Sequence, residues 1–176
     1  ITDQSLRTCI ANLNKSYVDQ LKRLTCTDMS IESVSGIENF YNLQVLSLGE
    51  NDIVEVDLSH NIAMEYLVLA NNNIVNLDVS KNIELKNLII SENPLEELDV
   101  SSNSELRVLV ANNIGLSELV LTDNEELTYL DISKNNFETI DISENTKLLK
   151  VYLNSNGLRS LDSNKNIKLT HLYADD

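Results

Sequence analysis

From Leu43 onward an apolar residue returns at a fixed interval: Leu43, Met64, Leu85, Leu106, Leu127, Leu148 and Leu169 lie 21 residues apart. Leu21 precedes the first of them by 22. Within each unit, further apolar side chains follow three and five places on, as in Leu46 and Leu48, Leu67 and Leu69, Leu88 and Ile90, Leu130 and Ile132, and Val151 and Leu153. That alternation predicts a short strand with one buried face. Three places later comes Asn51, Asn72, Asn93, Asn135 or Asn156. The second half of the unit brings apolar groups back at Ile53, Val56 and Leu58, at Ile74, Leu77 and Val79, and at Leu95, Leu98 and Val100. About twelve residues are too few for a long helix and two turns, which leaves short extended or 3₁₀ segments on the convex side.

Polar residues repeat in the same phase. "NLDVSKN" and "ELDVSSN" are joined in phase by "EVDLSHN" and "TIDISEN", while "TYLDISKN" echoes the phrase in a predicted strand. A buried Asn at each strand-end corner can bond the exposed backbone groups of the adjacent coil, which no regular element supplies with partners. Asp57, Asp78, Asp99, Asp141 and Asp162, with Ser59, Ser80, Ser101 and Ser143, are expected to do similar work in the convex turns. Asn61, Asn82, Asn103, Asn124, Asn145 and Asn166 close each unit. Calcium ligation is the competing reading of the aspartates. Hard cations want several convergent oxygens, often beside a Gly-rich turn, whereas these aspartates recur singly, so no metal or cofactor is expected. The unit opening at Leu106 is irregular: Ile114 stands where Asn belongs, next to Asn113, Val120 replaces the Asp, and Ala111 fills a slot otherwise held by Leu or Ile. Looser packing is expected there, with Gly115 permitting a local bend.

The pattern L-x-x-L-x-L-x-x-N is that of leucine-rich repeats. It predicts an α/β solenoid with a parallel sheet on its concave face. A repeat stack leaves apolar surface at both ends, so caps are required. In "TDQSLRTCIANLNKSY" the side chains of Leu6, Cys9, Ile10 and Leu13 fall on one face of a helix, with Asp3 or Thr2 available to start it. Residues 1–20 therefore read as an N-terminal helical cap, and residues 21–176 as a solenoid of about eight strands whose last repeat is truncated. Cys26 occupies an inward strand position of the first coil, within reach of Cys9 on the cap. A disulfide between them would stabilise the cap by roughly 3 kcal/mol and points to an oxidising compartment; the alternative is two small buried thiols. "LTHLYADD" opens another unit and stops before its Asn, so the chain reads as a fragment of a longer protein.

Charge narrows the partners. With 28 acidic residues against 13 basic the formal net charge is −15, which repels phosphate backbones and anionic membrane surfaces and excludes nucleic acid as a partner. No apolar run approaches the roughly 18 residues a membrane span needs. Apolar residues at 42% suit a packed core, and with four Gly and one Pro the turns fall to Asn. Catalysis finds no support: His60 lies in a convex turn and His171 near the end of the chain, so no Ser–His–Asp arrangement can be assembled, and metal-spacing motifs and phosphate-cradling Gly loops are absent.

In "LTCTDMSIESVSGIENFYNLQVLSLGENDI" the residues Leu24, Ile31, Val34, Gly36, Ile37 and Leu43 stand where the first 22-residue repeats of bacterial internalins have theirs. The units from Leu43 onward resemble the 21-residue branch of that family, whose repeats contain L-D-V-S-x-N. That branch bears a Cys in the second buried slot of each strand. Here only Cys26 does, followed by Leu48, Leu69, Ile90, Ala111, Ile132, Leu153 and Ala174, so no cysteine ladder can form. The resemblance runs from about Leu21 to Asp176. It implies a secreted or surface-attached bacterial protein that binds another macromolecule, such as a host or envelope protein. It does not imply an oligomeric state.

Binding on such a scaffold is sought at exposed strand positions, which stacking lines into columns. Two places after each opening residue lie Arg23, Val45, Tyr66, Asn87, Val108, Tyr129, Lys150 and His171; four places after lie Thr25, Ser47, Val68, Ile89, Val110, Asp131, Tyr152 and Tyr173. A third column, six places after, is Thr27, Gly49, Ala70, Ser91, Asn112, Ser133, Asn154 and Asp175. Four of the six tyrosines fall in these slots, where a merely solvated face needs none, although Val, Ile and Tyr also suit strands as such. Contiguous outward apolar side chains mark an interaction site, and the expected contact set is Tyr66, Val68, Ile89, Val108, Val110, Tyr129, Asp131, Tyr152 and Tyr173. A carbohydrate module using the tyrosines beside Asn87, Asn112, Asp131 and Asn154 is the alternative, as is a repeat spacer with no ligand.

Overall fold

Strands of three residues recur along the chain near the start of each unit, where an inward side chain stands between two outward ones. In the computed structural model, which describes residues 1–13 and 20–175, they are β1 (Arg23–Thr25), β2 (Val45–Ser47), β3 (Tyr66–Val68), β4 (Asn87–Ile89), β5 (Val108–Val110), β6 (Tyr129–Asp131), β7 (Lys150–Tyr152) and β8 (His171–Tyr173). They form one parallel sheet in chain order. Residues 14–19 of the expected cap, and Asp176, lie outside the described residues. Register follows the period: Val45 pairs with Tyr66, Tyr66 with Asn87, Asn87 with Val108, and Val108 with Tyr129. The middle residue of each strand points inward. Leu24, Leu46, Leu67, Leu88, Leu109, Leu130 and Val151 are fully buried, whereas Leu172 of β8 is 42% exposed. Behind the sheet the convex segments are extended and turn-like. Among the described residues one 3₁₀ turn occurs there, η1 (Ile37–Asn39), in the first coil.

Two columns of buried asparagine hold the coils together. Asn93 shows the first: its Nδ2 donates to the carbonyls of Leu69 and Ile90, each at 2.9 Å, and its Oδ1 accepts from Ile74 N–H at 3.0 Å. One side chain thus serves its own corner and the coil before it. The second column is Asn61, Asn82, Asn103, Asn124, Asn145 and Asn166, each at most 3% exposed. Asn61 Nδ2 donates to the Phe40 carbonyl, and from Asn82 onward each Nδ2 donates to the backbone carbonyl of the Asn one coil earlier, as Asn103 does to Asn82 at 2.9 Å and Asn124 to Asn103 at 2.9 Å. Parallel coils lacking convex helices leave these carbonyls without regular partners, and the amides satisfy them.

The convex aspartates bond backbone groups in the convex turns, as expected, and do so locally. Each bonds within its own turn: Asp57 Oδ1 accepts from Ser59 N–H at 2.9 Å, and Asp78, Asp99 and Asp141 accept likewise from Ser80, Ser101 and Ser143. An Asp side chain reaches two residues ahead more readily than across to the next coil. The hydroxyl and N–H of Ser59 hold the Asp57 carboxyl below its ordinary range, and the N–H and hydroxyl of Ser80, Ser101 and Ser143 do so for Asp78, Asp99 and Asp141.

In the irregular coil Ile114 is 2% exposed and Ala111 fully buried. Burial therefore continues through this coil, with a second apolar residue occupying the corner in place of the amide. Asn113 and Gly115 both have positive φ, 53° and 84°, and among the described residues no other 21-residue coil has it at the position of Gly115. The positive φ at Asn113 is common to the corners, being shared by Asn71, Glu92, Lys134 and Ser155.

At the N-terminus α1 (Gln4–Ala11) begins where Asp3 caps the Leu6 N–H at 2.8 Å. The second oxygen of Asp3 accepts from Glu32 N–H at 3.1 Å, tying the cap to the first coil. Leu6 is fully buried, and Ile10 and Leu13 pack against the core. Cys9 and Cys26 are joined by a disulfide with a Cα–Cα distance of 6.0 Å. Gly36 turns the first coil into η1 with φ of 100°, and a Cβ there would stand 2.4 Å from the Ile1 nitrogen. Gly36→Ala is therefore expected to cost about 1–2 kcal/mol, measured by urea denaturation.

Candidate interaction surface

The sheet places the two outward columns side by side because residues two apart on a strand share a face. All nine residues of the expected contact set lie in those columns, spread over β3–β8. Tyr66 is 37% and Tyr173 44% exposed, and the other seven are half-buried. They divide into two regions. In β3–β5 the partners Val68, Ile89 and Val110 form an aliphatic row beside Tyr66 and Val108. In β6–β8 the rings of Tyr129 and Tyr152 lie 5.5 Å apart at 37°, and those of Tyr152 and Tyr173 stack at 5.1 Å and 8°. Tyr66 stands apart from this staircase.

Asp131 divides the aliphatic row from the tyrosines. Its Oδ2 accepts from Asn112 Nδ2 at 3.1 Å, and its Oδ1 from the Ser133 N–H at 3.1 Å and hydroxyl at 2.6 Å. Burial, the Asp131 charge and Tyr152 push the Tyr129 phenol above its ordinary value, so it stays neutral. The carboxylate is thus held rigidly by residues of the third column. That column is not an outward row throughout, as expected: Gly49 and Ser91 are buried. The strands end two residues earlier, and the chain there already turns inward toward the left-handed corner. Ser91 Oγ instead accepts from Asn112 N–H at 3.3 Å.

The two histidines lie apart, His171 on this face and His60 in a convex turn. His171 Nδ1 lies 2.9 Å from the Thr170 hydroxyl. On the convex side Ser59 Oγ lies 3.1 Å from His60 Nδ1, but Asp57 bonds Ser59 rather than the histidine, so a base–orienter pair is missing. Sequence reasoning missed the clamp on Asp131 and the inter-coil role of the second asparagine column. The column had a visible signal: Asn124 persists in the very unit where the first column fails at Ile114.

No family model and no curated protein matches the chain. Among solved structures, the functional domain of InlJ from Listeria monocytogenes, described as including a cysteine ladder, matches with TM-score 0.71 and 31% identity over 88% of this chain and 39% of its own. This chain is an internalin-type leucine-rich repeat solenoid. Internalin InlF of Listeria monocytogenes shares the fold with TM-score 0.92 at 22% identity, over 98% of this chain and 56% of that one. Internalin C2 of the same organism gives 0.89 at 19% identity, over 98% and 84%. The internalin-type chain described here therefore spans 39% of the InlJ domain and 56% of InlF. In place of a cysteine ladder it carries buried Leu48, Leu69, Ile90, Ala111, Ile132 and Leu153, with Cys26 bonded to the cap. Among the described residues no helix is long and apolar enough to cross a membrane.

Proposed function

We propose that this domain is a non-enzymatic binding module of a secreted or surface-attached bacterial protein, adhesive in role. It captures a protein partner, such as a host or envelope protein, through the outward face of its sheet. Residues 1–20 serve as the helical cap and residues 21–176 carry the binding repeats. The single observation behind this reading is the pair of patches on the outward face, the aliphatic row Val68, Ile89 and Val110 beside Tyr66 and Val108, and the staircase of Tyr129, Tyr152 and Tyr173, with Asp131 between them. Aromatic side chains with a polar tip are favoured at protein interfaces. The tyrosine geometry favours protein over glycan at the centre of the staircase, where Tyr152 has Tyr129 on one side and stacked Tyr173 on the other and offers little open face to a sugar ring. The disulfide suits an oxidising compartment.

Tyr129→Ala combined with Tyr152→Ala is expected to weaken partner capture by at least about 1 kcal/mol, or roughly fivefold. The thermal midpoint should stay close to wild type, since both rings lie outside the core. Pull-down from host and envelope extracts with wild-type and double-variant domains measures it. Equal capture by the two would remove this face from the interaction.

A further inference from the structure

On the convex side a groove of about 990 Å³ runs from the first coil to the unit opening at Leu85. One wall is the segment 33–38, where the 22-residue coil turns through Gly36 into η1 instead of following the Asp-x-Ser path of later units. Val34 and Leu77 are buried at its bottom, Val56 and Val75 are half-buried, and Val54 is 50% exposed. Carboxylates stand along its edges: Glu38, Glu55, Asp57, Asp78, Glu97 and Asp99. No lysine, arginine or histidine lines it among the described residues. His60 and Lys81 act on Asp57 and Asp78 only from outside the lining.

Elsewhere among the described residues four glutamates pair with a cation one coil on. Glu138 meets Arg159 at 2.7 Å, Glu144 meets Lys165 at 3.0 Å, and Glu65 meets Lys86 at 2.7 Å. The groove has no such pairs, and its aspartates repel along their column: Asp57 acts on Asp78, and Asp78 on Asp99. Serine donors nevertheless keep all three ionised. An apolar floor between rows of uncompensated negative charge is complementary to one chemistry.

We propose that this groove binds a basic peptide segment in which lysine or arginine alternates with small apolar side chains. The aliphatic groups seat on Val54 and Val75, and the cations lie along the carboxylate rows. A second copy of this chain, at net charge −15, is repelled from the site, as is any polyphosphate. The aspartates come one per coil, so they do not converge on a divalent ion.

The test is calorimetric titration, at low salt, with a synthetic peptide of about twelve alternating lysine and valine residues, the length of an extended recognition segment. Saturable binding that weakens as sodium chloride is added is expected, and none for the same peptide with glutamate replacing lysine. Glu55→Gln with Glu97→Gln should lower affinity about fivefold, within the range of two exposed charge pairs. Val54→Ser should lower it about twofold through lost apolar contact. Glu105→Gln with Glu125→Gln removes the same charge outside the groove and should leave affinity unchanged. All four positions are exposed, and circular dichroism should show each variant folded. Failure of the wild-type domain to saturate, equal binding of the glutamate peptide, or equal weakening by the two Gln pairs would each overturn the proposal.

Discussion

Removing the Cys9–Cys26 bridge, by Cys9→Ala with Cys26→Ala, is expected to lower stability by about 3 kcal/mol. The bridge closes a loop with a sequence separation of 17 and so restricts the unfolded chain. It also fastens α1 to β1, a junction otherwise held by Leu6 and by the two oxygens of Asp3. In a solenoid each coil touches only its neighbours, so the loss should start at this end. A lower urea midpoint is expected, with faster hydrogen exchange in α1 and β1 before β5 to β7 are affected. An unchanged midpoint would mean that the Asp3 cap and Leu6 suffice to hold the helix.

Asn93→Ala is the second large effect, with an expected cost of about 1–3 kcal/mol. The side chain is 3% exposed and makes bonds to Leu69, Ile90 and Ser91 carbonyls and to the Ile74 N–H. Alanine leaves these buried groups without their amide and brings nothing in return. The natural Ile114 shows what tolerance requires: an apolar side chain large enough to fill the corner, followed by a glycine at φ of 84°. Asn93→Ile fills the corner but is followed by Pro94 rather than a glycine, so it should recover only part of the cost of Asn93→Ala. Thermal unfolding of the two variants side by side measures the difference, and the reverse order would show that filling the corner recovers nothing and that the lost amide bonds carry the cost.

Much of this fold can be read from spacing alone. A fixed return of apolar residues forces equal coils, and alternation around Leu46, Leu67 and Leu88 decides which neighbours face outward. The register of Val45, Tyr66, Asn87 and Val108 across β2 to β5 follows directly. Other features are settled by backbone geometry that periodicity does not carry. Whether Asp78 reaches forward to Ser80 or across to the next coil depends on turn angles, and the local bond wins. Ser91 repeats in phase with outward residues yet is buried, because the strand has already ended. Ring orientation is likewise invisible in the sequence: Tyr129, Tyr152 and Tyr173 share a face by spacing, but their mutual stacking depends on rotamers. The convex groove escaped notice because it exists only where the longer first coil departs from the repeat.

The account rests on coils of 21 residues stacking so that Val45 and Lys150 share one outward column, five strands apart. Spin labels at these two positions, in a Val45→Cys, Lys150→Cys variant that keeps the Cys9–Cys26 bridge, measure this by pulsed electron resonance. Five steps of about 4.8 Å predict a single narrow distribution near roughly 24 Å. A distance beyond about 40 Å, or two populations of comparable weight, would contradict the stacked register and with it both proposed surfaces.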